Sequence, residues 1–323
     1  MTAPLLQADR LSVDFPVRQG VLRREVARLR AVSDVSVELR AGQVLGVVGE
    51  SGCGKTTLGR ALVGLHAPTA GTLRIDGRDV ATMDDEQRRR MTRDVQMVFQ
   101  DPFASLNPRK RIRQILQVPF EVHGLAGAAG LESRLLELVS LVGLLPEHLD
   151  RWPHELSGGQ RQRVGIARAL ALQPRVVVLD EPLSALDMSI QSQVLNLLVD
   201  LQARLGLSYV FISHDLSIVE YLSDSVAVMY LGRVVETAPA AALFAAPLHP
   251  YTQALLASVP DPVPRRERVT RALEGDVPSL LRAPRGCAFH TRCPRAQPRC
   301  GDSVPELRPM SADGLHQAAC HLI

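Results

Sequence analysis

The stretch GESGCGKTT at residues 49–57 restricts the fold of this chain more than any other part of its sequence. It matches the pattern G-x-x-x-x-G-K-[ST] of a phosphate-binding P-loop, and it stands between the apolar run VLGVV and a helical run from Leu58. Glycines in such a loop let backbone N–H groups surround the phosphates of a nucleotide. A strand, a P-loop and a helix in this order therefore predict an α/β nucleotide-binding fold.

The side chains of this loop have expected roles toward ATP and Mg²⁺. Lys55 pairs with the β- and γ-phosphates, and the hydroxyl of Thr56 binds the metal ion. Cys53 is expected to be a small filler. The predicted nucleotide-binding residues are Gly49, Glu50, Ser51, Gly52, Cys53, Gly54, Lys55, Thr56 and Thr57.

Two later strands end in side chains that suit phosphoryl transfer. RVVVLDEP contains Asp180, which is expected to orient the Mg²⁺ shell, and then Glu181, where a carboxylate can polarise water. FISHD contains His214, a candidate contact for the γ-phosphate, and MVFQDP contains Gln100, which can reach the metal or the attacking water. We predict Glu181, His214 and Gln100 as catalytic residues, and Thr56, Gln100 and Asp180 as the Mg²⁺ site.

The segment LSGGQRQRVGIARAL begins a helix with two adjacent glycines, although glycine is a weak helix former. Ser157 suits an N-cap, and Gly158 and Gly159 follow it. Helix N-termini bind anions through free N–H groups and the helix dipole. The segment is therefore a second candidate phosphate site, where glycine lets another group come close to the backbone.

Charge and hydropathy exclude some function classes. A net charge of +3 is too small by itself to indicate a nucleic-acid partner, so none is expected. No apolar run approaches the ~18 residues of a membrane span. Asp9 and Arg10 come too early for a signal peptide. We expect a cytoplasmic protein whose role at a membrane would depend on partner chains.

The order of the predicted elements indicates how the chain is divided. Strand-like runs come first, a helical block covers about residues 105–172, and short apolar strands follow. Beyond about residue 245 proline and arginine become frequent and the apolar periodicity fades. We therefore predict one unit at residues 1–245 and a C-terminal extension at 246–323, with an α/β core and an inserted helical subdomain.

Residues 1–245 resemble the ATP-binding subunit of an ATP-binding cassette (ABC) transporter. GESGCGKTT resembles its Walker A motif, VVVLDEP its Walker B motif, SHD its H-loop, and Gln100 its Q-loop glutamine. LSGGQ resembles the signature, formed by Leu156, Ser157, Gly158, Gly159 and Gln160, and SALD resembles the D-loop, formed by Ser184, Ala185, Leu186 and Asp187.

The resemblance implies an ABC ATPase fold: a P-loop NTPase with a RecA-like core, an antiparallel β subdomain and an α-helical signature subdomain. It also implies that two cassettes pair head to tail, so that the signature of one grips the γ-phosphate of ATP on the other. Phe15 lies roughly where the family places the aromatic that stacks on adenine, and a core phenylalanine is the alternative interpretation.

Two further segments resemble those of oligopeptide and dipeptide importers. These are QDPFASLNPR at residues 100–109 and HPYTQALLASVP at residues 249–260. The resemblance implies peptide import, with two transmembrane permeases, an external substrate-binding protein, and a second ABC ATPase subunit that is a sister chain or the same chain. It implies a peripheral place on the cytoplasmic face of the inner membrane. The alternatives are nickel or glutathione uptake and a soluble ABC ATPase without a transport role.

Four cysteines crowd the C-terminal extension: Cys287, Cys293, Cys300 and Cys320. Four thiolates suit a [4Fe–4S] cluster or a tetrahedral zinc ion, and unliganded thiols are the third alternative. Because some relatives in the importer group are thought to carry such a cluster, the resemblance implies the iron–sulfur alternative.

Overall fold

The computed structural model describes residues 3–20, 24–125, 127, 130–259 and 275–323. The strands are β1 Leu6–Gln19, β2 Arg24–Leu39, β3 Val44–Val48, β4 Ala70–Ile75, β5 Arg78–Asp79, β6 Val95–Val98, β7 Val176–Asp180, β8 Ser208–Ile212, β9 Ser225–Tyr230, β10 Arg233–Pro239, β11 Arg308–Pro309 and β12 Gln317–Ala318. The α-helices are α1 Lys55–Leu62, α2 Asp85–Asp94, α3 Pro102–Ser105, α4 Ile112–Val122, α5 Leu131–Leu141, α6 Gly158–Leu170, α7 Met188–Leu205, α8 Leu216–Leu222, α9 Ala240–Ala245, α10 Pro250–Ala257 and α11 Pro298–Asp302. Short 3₁₀ helices cover Val80–Thr82, Pro146–Asp150, Pro153–Glu155, Leu280–Arg282 and His290–Arg292.

The main sheet has the order β11-β12-β10-β9-β3-β8-β7-β6. Its centre is parallel, because β3 pairs with β8 and β9, and β7 pairs with β8 and β6. In a parallel sheet the carboxyl ends of the strands lie at one edge. The P-loop after β3 and the acidic pair at the end of β7 therefore lie at the same edge, as the sequence predicts for one nucleotide site.

Both faces of this sheet are buried, and alternate residues of each strand serve different cores. In β7, Val177 and Leu179 join one cluster, which extends into the helical block, whereas Val176 and Val178 join the other. Burial on both faces explains why these strands are apolar at every position instead of alternating with polar residues. The predicted α/β core is confirmed.

A second sheet, with the order β2-β1-β4-β5, forms the antiparallel β subdomain. The turn from β4 to β5 uses Asp76 and Gly77, both in the left-handed region at φ 50° and 73°. Strands β1 and β2 pair along their length as a two-stranded ribbon, in which Arg30 forms an ion pair with Asp14 at 2.9 Å.

The C-terminal extension returns to the main sheet. Within it, β12 pairs with β10 through Glu236 and Ala318, and β11 adds to β12 at the edge. The chain after residue 275 therefore packs against the same sheet that carries the P-loop. Among the described residues, no helix combines the length and the apolar character that crossing a bilayer requires.

Candidate functional site

The P-loop joins the end of β3 to Lys55, the first residue of α1. Only 4% of Lys55 is exposed, and its ammonium group donates to the carbonyl oxygens of Gly49 at 2.8 Å and Glu50 at 3.1 Å. The lysine side chain therefore lies along the loop, with its charge among the backbone groups that the sequence assigns to phosphate. Buried Cys53 lies beside it, and burial raises the pKa of this thiol, which suits the filler role.

Packing inside the chain requires two of the three loop glycines. A Cβ atom added at Gly49 would lie 2.2 Å from the carbonyl oxygen of Met229. A Cβ atom added at Gly54 would lie 2.1 Å from the carbonyl oxygen of Ala31. A Cβ atom at Gly52 would meet nothing within 4 Å. Gly49 and Gly54 thus let the loop pack against its own protein, whereas a side chain at Gly52 would extend into open space.

Thr56 and Asp180 come together from α1 and the end of β7. The hydroxyl of Thr56 donates to Oδ1 of Asp180 at 2.9 Å, and only 1% of Asp180 is exposed. Burial raises the pKa of this carboxyl, and the neighbouring Glu181 raises it further. A hydroxyl and a carboxylate oxygen beside the P-loop lysine form the donor set that a hard divalent cation prefers, so the residues fit Mg²⁺.

Glu181 is the centre of the predicted catalytic group. Its Oε2 accepts from Nε2 of Gln100 at 2.9 Å and lies 3.5 Å from Nδ1 of His214. The three side chains come from the ends of β7, β6 and β8, so the parallel sheet brings together groups that are far apart in sequence. The backbone of Glu181 has φ 44°, in the left-handed region, and such local strain is typical of functional sites.

The signature lies at the start of α6. Ser157 is exposed, and its Oγ accepts from the N–H of Gln160 at 3.3 Å, while the Gln160 side chain accepts from the N–H of Ser157 at 2.9 Å. This capping box fixes the helix start that the sequence predicts. The D-loop lies nearby, since a Cβ atom at Gly158 would be 3.5 Å from Cδ2 of Leu186.

Phe15 on β1 is partly buried and packs against the core cluster that includes Val176 and Val178. The centroid of its ring lies 5.1 Å from that of the His66 ring, in an edge-to-face contact. Both interpretations of Phe15, adenine platform and core residue, remain predictions.

Sequence reasoning missed two residues of the C-terminal extension that reach the P-loop. The N–H of Glu50 donates to the hydroxyl of Tyr251 at 2.9 Å, and Arg292 forms an ion pair with the Glu50 carboxylate. The available signal was the tyrosine in the HPY segment, whose partner could not be identified without the fold.

The metal predicted for the tail cysteines finds no support. Across the residues that the structure describes, no group of three or more His, Cys, Asp or Glu side chains is placed to hold a metal ion. Cys287, Cys293, Cys300 and Cys320 are free, and burial raises the pKa of Cys287 and of Cys293. The described residues therefore give no support to the predicted [4Fe–4S] cluster or to its zinc alternative.

Comparison with known proteins agrees with this geometry. The family model described as ABC transporter matches residues 32–184, and the model described as oligopeptide/dipeptide transporter, C-terminal region, matches residues 235–300. The oligopeptide transport ATP-binding protein AppF of Bacillus subtilis is 50% identical, with 95% of this chain and 94% of the relative covered. The di/tripeptide transport ATP-binding protein DppF of Pseudomonas aeruginosa is 49% identical, over 98% and 97%.

Among solved structures, one similar chain is the ATP-binding cassette MJ0796 in a dimeric post-hydrolysis state bound to ADP and Pi. The TM-score is 0.64 at 26% identity, and the alignment covers 73% of this chain and 98% of that chain.

Proposed function

This chain belongs to the ATP-binding subunits of oligopeptide and dipeptide ABC transporters, and we propose that it hydrolyses ATP to drive the import of peptides. It is an ABC ATPase whose relatives are named for oligopeptide and di/tripeptide transport. Those names favour peptides over nickel or glutathione as cargo. The match of the C-terminal importer region favours a transporter subunit over an ABC ATPase without a transport role.

The convergence of Gln100 and His214 on Glu181 is the observation that carries the catalytic assignment. Glu181 is the base that polarises the attacking water, Gln100 orients its carboxylate, and His214 reaches toward the γ-phosphate. Lys55 neutralises phosphate charge. Thr56, Asp180 and Gln100 would hold Mg²⁺, which would supply further charge neutralisation when bound.

The signature residues serve a second copy of the fold rather than this chain's own P-loop. Ser157 is exposed at the start of α6, where free N–H groups and the helix dipole favour an anion. We propose that residues 156–160 grip ATP bound to the partner cassette and that the D-loop at residues 184–187 lies at the same interface. ATP then bridges two incomplete sites, and hydrolysis releases the bridge.

The proposed assembly contains a second ABC ATPase, two permeases and an external substrate-binding protein. We place this chain on the cytoplasmic face of the inner membrane, attached through the permeases. Within the chain, residues 1–245 are proposed as the ATPase unit and residues 246–323 as its importer-type extension.

Glu181→Gln tests the catalytic assignment. The amide keeps the size of the side chain and an oxygen for Gln100, but it is a much weaker base. We expect ATP binding to persist while turnover falls by about 10²- to 10⁴-fold. Nucleotide titration and phosphate release are measured on the same preparation.

Glu121→Gln is the matched control, because Glu121 is an exposed glutamate on α4 outside the proposed site. Its turnover should equal that of the wild type. Wild-type turnover in Glu181→Gln would contradict the assignment of the base.

A further inference from the structure

The C-terminal extension is anchored to the main sheet close to the P-loop. Glu236 of β10 is fully buried, and its carboxylate accepts from the backbone N–H groups of Leu248 at 2.7 Å and His249 at 2.9 Å. The same carboxylate lies 2.8 Å from Nε2 of His316. Glu236 thus holds the start of α10 and the chain end in one place, so side chains from both can be positioned accurately.

Three aromatic rings pack between the contacts of Glu236 and the P-loop. Tyr251 of α10 packs against Tyr230 at 4.6 Å and against Phe289 at 5.4 Å between ring centroids, and Phe289 meets Tyr230 at 5.3 Å. All three rings are fully buried. Arg292 follows Phe289 by three residues, so the buried Phe289 ring restricts the position of the Arg292 backbone.

Two groups from the extension meet at Glu50, the second residue of the P-loop. The Tyr251 hydroxyl accepts from the Glu50 N–H at 2.9 Å. The two terminal nitrogens of Arg292 donate to the two carboxylate oxygens of Glu50, at 2.7 Å and 3.0 Å. Such a two-point contact between guanidinium and carboxylate is strong and directional.

The charges of this contact bear on phosphate binding. Glu50 places a carboxylate in a loop that receives phosphates, and like charges at short range weaken binding. The carbonyl oxygen of Glu50 also accepts from the ammonium group of Lys55 at 3.1 Å. The side-chain exposure of Arg292 is 5% and that of Glu50 is 22%, so solvent screens the pair poorly.

We propose that Arg292 is a positioning residue for nucleotide binding, supplied by the C-terminal extension, which neutralises Glu50 and fixes the P-loop peptide next to Lys55. The inference rests on the proposed function, because it assigns the extension a role in the same ATP site. The hydrogen bond to Glu50 raises the pKa of Arg292, so the guanidinium keeps its charge at every relevant pH.

The test is a charge-compensation cycle on the full chain, with MgADP binding measured by titration calorimetry. Arg292→Gln leaves the Glu50 carboxylate uncompensated and should weaken MgADP binding by about 5-fold. Adding Glu50→Gln removes that carboxylate and should recover affinity. A role limited to folding would not produce recovery, because the double variant lacks both partners of the pair.

Arg295→Gln is the matched control, because Arg295 is an exposed arginine of the same segment and its loss changes the net charge equally. It should bind MgADP like the wild type. If thermal unfolding shows that Arg292→Gln does not fold, Arg292→Lys decides in its place. Lysine keeps the positive charge but cannot make the two-point contact with the Glu50 carboxylate, so this variant should bind MgADP more than twofold more weakly than the wild type.

Three outcomes overturn the inference: binding by Arg292→Gln within twofold of the wild type, no recovery in the double variant, or, where Arg292→Lys is the test, binding within twofold of the wild type. A wild-type chain that binds MgADP while these outcomes occur leaves the proposed function intact. A wild-type chain that binds no MgADP would remove both.

Discussion

Gly158 and Gly159, the two neighbouring glycines of the signature, differ in how much space they leave for a side chain. A Cβ atom at Gly159 would lie 2.5 Å from Cγ2 of Ile190, a methyl group held on a stiff β-branched side chain of α7. At Gly158 the nearest contact would be an ordinary 3.5 Å to Leu186. Gly159 is therefore required by packing within this chain, and Gly158 is the glycine left for a close approach from outside.

This difference predicts opposite effects on stability. Gly159→Ala should lower the free energy of unfolding by about 1–2 kcal/mol, because overpacking against Ile190 outweighs the better helix propensity of alanine. Gly158→Ala should be at least as stable as the wild type. Urea denaturation of the two variants makes the comparison, and equal effects would contradict the assigned roles.

At the scale of elements, α10 begins with a buried titratable cap. Nδ1 of His249 accepts from the N–H of Tyr251 at 3.0 Å, and only 1% of His249 is exposed. Burial lowers the pKa of His249 from 6.5 to about 4, although Glu236 acts in the opposite direction. The folded state therefore holds this imidazole neutral at a pH where the unfolded chain protonates it.

The stability of the fold should depend on pH through this cap. Because the folded pKa is lowered, the contribution is complete above about pH 6.5 and is lost as the pH falls toward 4. Between pH 7.5 and pH 5 the wild type should lose about 2 kcal/mol more stability than His249→Asn. Asparagine keeps a capping oxygen but does not titrate.

Denaturant unfolding at the two pH values, for both proteins, measures the difference. The comparison removes the contributions of groups that the two proteins share, including His316 near Glu236. An equal loss in both proteins would show that His249 is not the titrating group.

For the whole molecule, the signature residues point to a function that one chain cannot complete. Ser157 is exposed and satisfies its own helix start through Gln160. The contacts of the Glu181 carboxylate with Gln100 and His214 do not involve Ser157. Its chemistry suits an anion presented by a second cassette, and this supports the proposed head-to-tail pairing.

Ser157→Arg should block ATP-driven pairing, because a long cationic side chain replaces a small hydroxyl at the proposed contact with the partner's nucleotide. The variant also loses the N-cap, at a cost of about 1 kcal/mol, so the chain should stay folded. The measurement compares the Glu181→Gln variant with the Glu181→Gln/Ser157→Arg double variant. Sedimentation of each in the presence of ATP gives the fraction of dimer.

Ser140→Arg on α5 provides the control, since it makes the same change at an exposed site outside the signature. It should pair normally. A normal ATP-bound dimer in Ser157→Arg would contradict the shared site.

The sequence alone determined what depends on local chemistry. The P-loop is one contiguous segment between a strand and a helix, so residues 49–57 could be interpreted without the fold, and so could the carboxylates that end β7. The strands buried on both faces and the capped start of α6 also follow from short-range pattern, because side-chain period and capping are local properties.

Only the tertiary structure decided which distant groups meet. Chain folding brings Arg292 and Tyr251 onto Glu50, and no local pattern encodes a contact across 242 residues. Among the described residues it also leaves the four tail cysteines without the placement that a metal requires, although their number had suggested a metal site. The sequence gives the type of each residue. The distances between distant side chains depend on how the C-terminal extension packs against the sheets. Metal ligation and ion pairing depend on those distances.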